Sequence, residues 1–322
     1  MKIRCELCPT ECVLSNYEIG GCKVRINKDG VLYSLVYGKP CAVAIDPIEK
    51  KPFYHFLPGE KAFSIATAGC VLGCKFCQNW QISQARPEEV DYHDLPPDDV
   101  VRSAIFYGCR VITYTYTEPT VFYEYMFDTA ILAHKFNIKN TMHTCGYIKE
   151  KPLRELSRYM DAADVDLKAF TEDFYARLCG GRLRPVLNTL IVLKSEGVWL
   201  EITNLLIPTL NDDKQRIKEM CLWIRDNLGP DVPLHFSRFF PDYKLKNLPP
   251  TPIETLTMAR NIALESGLRY VYIGNIRTEA ENTYCHNCKR LLIERHGYFV
   301  KVNNIINKRC RFCGTMIPGV WH

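Results

Sequence analysis

Between residues 61 and 273, short apolar runs alternate with segments of helical periodicity, and this repetition constrains the fold more than any other feature. Residues 61–67, 111–116, 141–144, 163–167, 199–207, 234–237 and 270–273 read as strands. The intervening stretches 98–107, 120–135, 153–160, 185–195, 213–227 and 253–266 read as helices. A strand that must cross a helix before meeting the next strand pairs in parallel, with a right-handed connection. About seven such strands favour an α/β chain built as a partial or full parallel βα barrel. Chemistry in that architecture sits where the strands end.

Directly after the first strand, Ala68-Gly69 turns into Cys70-Val71-Leu72-Gly73-Cys74-Lys75-Phe76-Cys77. A cubane iron–sulfur cluster takes four ligands, and this CxxxCxxC loop offers three. One iron is then left open, much as catalytic metal sites keep a position free for substrate. The plainer reading is a zinc site with a remote fourth ligand among Cys41, Cys109, Cys145, Cys179 and Cys221, most of which read as buried thiols. The chain starts without a signal-peptide core, and no apolar run approaches the roughly 18 residues of a membrane helix. A cytoplasmic setting is therefore expected, where sixteen cysteines argue for metals and against disulfides. The formal charge of +5 is no sign of a nucleic-acid partner, because metal-bound thiols are deprotonated and one cluster with two four-thiolate zincs cancels it.

Polar residues recur at the strand ends. They are Thr115-Tyr116-Thr117-Glu118-Pro119, His143-Thr144-Cys145-Gly146-Tyr147, Asp166-Leu167-Lys168, Pro208-Thr209-Leu210-Asn211-Asp212, His235-Phe236-Ser237-Arg238 and Gly274-Asn275. Each alone is weak; in register with a cysteine loop they suggest one shared ligand. Asp166 and Lys168 are two apart and face one side of a strand. A carboxylate beside an ammonium suits a zwitterionic amino-acid group, or is simply an interior ion pair.

Both ends of the chain carry further cysteines. Residues 1–60 hold Cys5, Cys8, Cys12 and Cys22, a closed four-cysteine pattern for which zinc is favoured and a second iron–sulfur cluster is the near alternative. A hairpin around Asp29-Gly30 follows, then an irregular, proline-broken bridge at residues 46–56, in which His55 reads as packed or solvated. Residues 281–322 contain Cys285-x-x-Cys288 and Cys310-x-x-Cys313, a zinc-ribbon spacing. The chain thus divides into a metal-binding β module (1–60), a barrel (61–280) and a ribbon (281–322).

The Cys70–Cys77 loop resembles the signature of the radical SAM enzymes. Asp46-Pro47-Ile48-Glu49-Lys50-Lys51-Pro52, Cys77-Gln78-Asn79-Trp80, residues 114–120, Asp166-Leu167-Lys168 and Ile317-Pro318-Gly319-Val320-Trp321 together resemble the AmmeMemoRadiSam-system members, relatives of the pyruvate formate-lyase-activating enzymes. The resemblance implies a [4Fe-4S] cluster on Cys70, Cys74 and Cys77, and S-adenosylmethionine held by Glu118, Asp166 and Lys168 with Phe76 beside its adenine. It further implies a ferredoxin or flavodoxin as electron donor, with Memo-like and AMMECR-type proteins as candidate partners. Two departures stand out. Activating enzymes read Gly-Gly-Glu-Pro where this chain has Tyr116-Thr117-Glu118-Pro119, and Asp-Thr-Asn-Gly where it has His143-Thr144-Cys145-Gly146. The competing expectation is a non-catalytic zinc-ribbon protein that binds RNA or a protein partner.

Overall fold

A computed structural model describes residues 1–322. Its centre is one eight-stranded sheet whose spatial order follows the chain. The strands are β1 (Ala42–Pro47), β2 (Lys61–Ala66), β3 (Val111–Tyr114), β4 (Lys139–Thr144), β5 (Ala162–Asp166), β6 (Trp199–Leu206), β7 (Leu234–Arg238) and β8 (Val271–Gly274). From β2 to β8 every pairing is parallel. Helices α1 (Pro97–Phe106), α2 (Tyr123–Lys135), α3 (Glu150–Ser157), α4 (Leu183–Ser195), α5 (Lys214–Leu228) and α6 (Ile253–Glu265) are interleaved with β2–β8. The buried faces of strands and helices merge into one large apolar core. The sheet does not close, since β1 and β8 are its two edges; of the two barrels expected, the partial one forms.

One element departs from the sequence reading. Residues 42–47 form β1, antiparallel to β2 with Ala42 opposite Ala66 and Pro47 opposite Lys61, so the irregular bridge begins only after Pro47. Proline is tolerated at the end of an edge strand because no neighbour needs its missing N–H. The large sheet consequently starts inside the stretch assigned to the N-terminal module.

The C-terminal tail packs on the segment that follows β1. Leu57 N–H donates to Val320 O at 2.8 Å and Val320 N–H to His55 O at 2.8 Å. His55 is fully buried, its ring bonded to the Tyr272 hydroxyl at 2.6 Å and the Pro318 carbonyl at 2.7 Å. Burial pushes this imidazole down to about 4, so it is neutral at physiological pH. Gly319 is obligatory here, because a Cβ would sit 2.3 Å from the Trp321 ring. The ribbon strands Leu291–His296 and Phe299–Asn303 pack through Leu292 and Ile293 onto Tyr54, Tyr270 and Tyr272. The expected N-terminal hairpin is present as Arg25–Lys28 and Val31–Ser34, with Asp29 and Gly30 both at positive φ, the geometry of a two-residue hairpin turn.

Candidate active site

At the C-terminal ends of β2–β8 lies a cavity of about 510 Å³, and Cys70, Cys74, Cys77, Phe76, Glu118, Asp166 and Lys168 all line it. Residues far apart in the chain thus share one wall, as the strand-end argument requires. The cysteine loop is pinned from behind: Gly73 N–H donates to Cys179 O and Lys75 N–H to Leu178 O, both at 2.8 Å. Of the candidate fourth thiols, Cys145 lines the cavity, whereas Cys179 stands in the short helical turn behind the loop.

Glu118 is buried and its carboxyl group is held by four donors. Its Oε1 accepts from Thr120 N (3.1 Å), Thr120 Oγ1 (2.6 Å) and Thr144 Oγ1 (2.7 Å), and its Oε2 accepts from Cys145 N at 2.7 Å. Four donors hold the carboxyl group in place, and Oε2, with a single donor, keeps room to accept from a ligand ammonium. Asp166 pairs with Lys168 at 2.9 Å. Burial opposes both charges, but each partner's charge outweighs it: the carboxyl is held well below the ordinary carboxylate range and the lysine well above its own.

His143 bridges two carboxylates, Nδ1 to Asp164 at 2.5 Å and Nε2 to Asp166 at 3.4 Å. Burial works against its positive charge, yet Asp166 and Asp164 together raise it to about 10, so it is an imidazolium. Asp164, whose oxygens also accept from Thr203 Oγ1 at 3.0 Å, is lifted by burial to about 6.

The lost glycine before Glu118 is answered by strain. Tyr116 adopts φ +63°, the left-handed conformation a glycine would take without cost. Asn79 Nδ2 donates to its carbonyl at 2.8 Å, its hydroxyl bonds Asp46, and Lys51 Nζ lies 4.4 Å from its ring centroid. Asp46 also binds Lys50 at 2.8 Å and Lys51. Burial brings Lys51 down to about 8 against the pull of Asp46.

Several lining residues escape sequence reasoning. Lys51 and Tyr54 come from the segment read as a bridge, and Tyr298 comes from the ribbon. At the fifth parallel strand the expected Pro208–Asp212 turn stays out of the cavity. Thr203 and Leu205 within β6 line it instead, while Asn211 donates to Lys168 O and Leu205 O at 2.8 Å and braces the wall. His235, one of the strand-end residues expected here, lines the cavity and is bonded to buried Glu201 at 2.7 Å; Arg238 of the same strand end turns away to donate to Thr251 O. The alternation of strand residues was the available signal for Thr203.

The ribbon cysteines converge separately. Cys285–Cys313 and Cys288–Cys310 have Sγ atoms 3.7 Å apart, and all four lie within 4.8 Å. Four thiolates about 2.3 Å from a single ion would lie about 3.8 Å from one another, so this quartet fits one tetrahedral metal. The donor set of the large cavity fits a different group. Three loop thiols outside any such tight cluster, with an anchored carboxylate and an ion pair across from them, suit an iron–sulfur cluster and an amino-acid headgroup.

No helix is long and apolar enough to cross a membrane. The Radical SAM superfamily family matches residues 64–221. The "Uncharacterized protein MJ0808" of Methanocaldococcus jannaschii is 50% identical over 98% of this chain and 95% of its own length. The pyruvate formate-lyase-activating enzyme of Clostridium pasteurianum is 21% identical over 56% of this chain and 80% of its own. In fold, the chain resembles a radical SAM methyltransferase from Sphaerobacter thermophilus (TM-score 0.54, 18% identity, 69% of this chain and 68% of that one). It likewise resembles Streptococcus suis SuiB bound to S-adenosylmethionine (TM-score 0.54, 15% identity, 74% and 56%). With the cysteine loop and the strand-end carboxylates gathered in one cavity, the conclusion is direct: this chain is an enzyme that belongs to the radical SAM superfamily and is related to the pyruvate formate-lyase-activating enzymes.

Proposed function

We propose that the chain cleaves S-adenosylmethionine reductively and uses the product to take a hydrogen atom from a substrate bound in the same cavity. The observation that carries this reading is that Cys70, Cys74, Cys77, Glu118, Asp166 and Lys168 line one space. Cys70, Cys74 and Cys77 would hold a [4Fe-4S] cluster, which when reduced supplies the electron that splits the sulfonium into methionine and a 5′-deoxyadenosyl radical. Glu118 would receive the cofactor's ammonium. Lys168, whose pairing with Asp166 holds its charge throughout the physiological range, would take its carboxylate, and Asp166 keeps that lysine in place. Phe76, buried and 5.8 Å from the Phe174 ring, gives the loop an apolar flank for a planar base. The substrate side is the opposite wall, where Lys51, Tyr54, His235 and Tyr298 present hydrogen-bonding and cationic groups. A polar substrate with anionic character suits that lining.

The finer assignment to the AmmeMemoRadiSam system rests on the end-to-end motif resemblance. It makes Memo-like and AMMECR-type proteins candidate partners and a ferredoxin or flavodoxin the candidate reductant. The test is anaerobic incubation of the iron-loaded protein with dithionite and S-adenosylmethionine. 5′-Deoxyadenosine and methionine are expected in equal amounts, and neither from Cys74→Ala. Iron-loaded wild type that leaves the cofactor intact would overturn the reading.

A further inference from the structure

Behind the cysteine loop, on the side away from the active-site cavity, lies a second cavity of about 130 Å³ walled by Cys5, Cys8, Cys12 and Cys22. Its floor is shared with the active site: Val71, between Cys70 and Cys74, and Thr120, which donates to Glu118, both face it. The contact is close. Gly69, the residue before Cys70, has φ +90°, and a Cβ there would fall 2.5 Å from Cys22 O and 2.6 Å from Val24. The glycine is what lets the N-terminal segment lie against the loop. The segment is tied down by Lys149 N–H to Leu7 O (2.9 Å), Lys149 Nζ to Glu11 (2.6 Å) and Arg182 to Pro9 O (3.0 Å).

Zinc was the first expectation for these four thiols, but the sulfur spacing argues otherwise. In the whole chain the ribbon quartet is the one group of three or more metal-binding side chains with all donor atoms within 4.8 Å. No three of the N-terminal sulfurs gather within 4.8 Å of one another, and the four line a void instead, the arrangement that suits thiolates each bound to a separate iron of a cubane. Gly20 lies against two of them, since a Cβ on it would touch Cys12 Sγ and Cys22 Sγ at 3.8 Å each. A second, independent feature points into the same space. Arg25 is 6% exposed and lines the cavity; its Nη2 binds Glu124, while its Nε–H is buried without a partner. A buried donor of that kind calls for an acceptor, and a metal-bound thiolate sulfur is one.

We propose that Cys5, Cys8, Cys12 and Cys22 hold a second four-iron cluster, placed to pass single electrons to the one on the Cys70–Cys77 loop. The relay half rests on the radical SAM reading; the metal identity does not. A low-potential one-electron donor protein reduces the outer cluster from 2+ to 1+. That electron then moves to the inner cluster, which goes from 2+ to 1+ as the outer one returns to 2+. No bond or proton changes hands.

The experiment is metal analysis with low-temperature EPR on the full-length chain. Cys70→Ala/Cys74→Ala/Cys77→Ala should keep about four irons and about one zinc. After dithionite it should show one cubane signal. About two zincs and no iron, or one zinc and no iron, in that variant overturns the proposal. Should the triple variant fail to fold, Cys8→Ser/Cys12→Ser is the second arm. It should lose about half of the wild-type iron and none of the zinc, whereas loss of zinc with iron intact overturns it. In reduced wild type the two signals should broaden each other; two cubanes without mutual broadening overturn the relay. Failure of the radical SAM reading looks different, because wild type would then hold no more iron than the loop variant.

Discussion

The loop at Cys70–Cys77 and the ribbon quartet at Cys285–Cys313 both gather thiols, and they do so for opposite ends. The ribbon draws four sulfurs to within 4.8 Å and packs two of them, Cys285 and Cys310, among Tyr54, Tyr270 and Trp321; a four-thiolate site of this kind leaves no coordination position open, and metal bound there would supply folding energy. The loop holds three sulfurs over a cavity of about 510 Å³ and sets Glu118, Asp166 and Lys168 across from them. A site that saturates its metal stabilises; one that withholds a ligand can bind something else.

The sharpest break of this comparison exchanges the losses. Cys70→Ser should reduce 5′-deoxyadenosine formation by more than about 1,000-fold, a loss read directly as a free-energy change in turnover, with a melting midpoint within a few degrees of wild type. Cys310→Ser should release the ribbon metal and cost several kcal/mol of stability, while the iron content of the folded fraction stays the same. Metal content and thermal unfolding of both variants decide it. A Cys310→Ser protein with unchanged stability would mean the ribbon is ornamental.

Asp166 and Lys168 sharpen the comparison within the open site. Asp166→Asn leaves a largely buried lysine without its nearest anion, which should cost about 2–4 kcal/mol. Replacing both, as Asp166→Asn/Lys168→Met, removes the unpaired charge and should recover most of that loss. Affinity for S-adenosylmethionine should fall at least about tenfold in both, the size of one lost charged contact. Urea unfolding and equilibrium binding separate the two effects. Recovery of binding along with stability would show that the pair is structural only.

The charged bridge at His143 makes the open site sensitive to alkaline pH. Its folded value of about 10 stands above the ordinary 6.5 of an unfolded histidine. The stabilisation is complete below about pH 6.5 and is lost as pH climbs toward 10. A shift of this size is worth of order 5 kcal/mol at most, reduced by Asp164, whose carboxyl burial lifts to about 6. The pH dependence of the urea midpoint between 6.5 and 10 should flatten in His143→Asn; an identical slope in both proteins would show that His143 is not charged.

The same contrast explains what could be read from the chain. Parallel strands are buried on both faces and announce themselves as apolar runs, so β2–β8 were visible along with the loop and the Glu118 and Asp166 strand ends. Two spacings, CxxxCxxC and CxxC-x21-CxxC, single out the loop and the ribbon as the places where thiols gather as candidate metal ligands. β1 was hidden because it is half-exposed, with no clean alternation, and ends in Pro47. Lys51 and Tyr298 were hidden for another reason. Their place in the cavity is set by how the flanking segments cross the strand ends, and no local pattern encodes a contact such as Lys51 with Tyr116, 65 residues away.

Tyr116 gives the smallest effect and the finest test of how the open site is held. A non-glycine residue at φ +63° costs about 1–2 kcal/mol. Against that stand the hydroxyl bond to the Asp46 carboxylate, worth about 1.5–3 kcal/mol, and the Lys51 cation over the ring, worth about 0.5–2 kcal/mol. The contacts outweigh the strain, so Tyr116→Gly should be less stable than wild type by about 1 kcal/mol. Tyr116→Phe, which keeps both the strain and the ring, should lose the hydroxyl bond alone, about 1.5–3 kcal/mol. Burial already lowers Lys51 to about 8, and removing the ring leaves Asp46 as its one close partner. A Tyr116→Gly protein more stable than wild type in urea would mean that strain dominates, and that the Asp46–Lys51–Tyr116 cluster is kept for the substrate wall it builds and contributes nothing to folding.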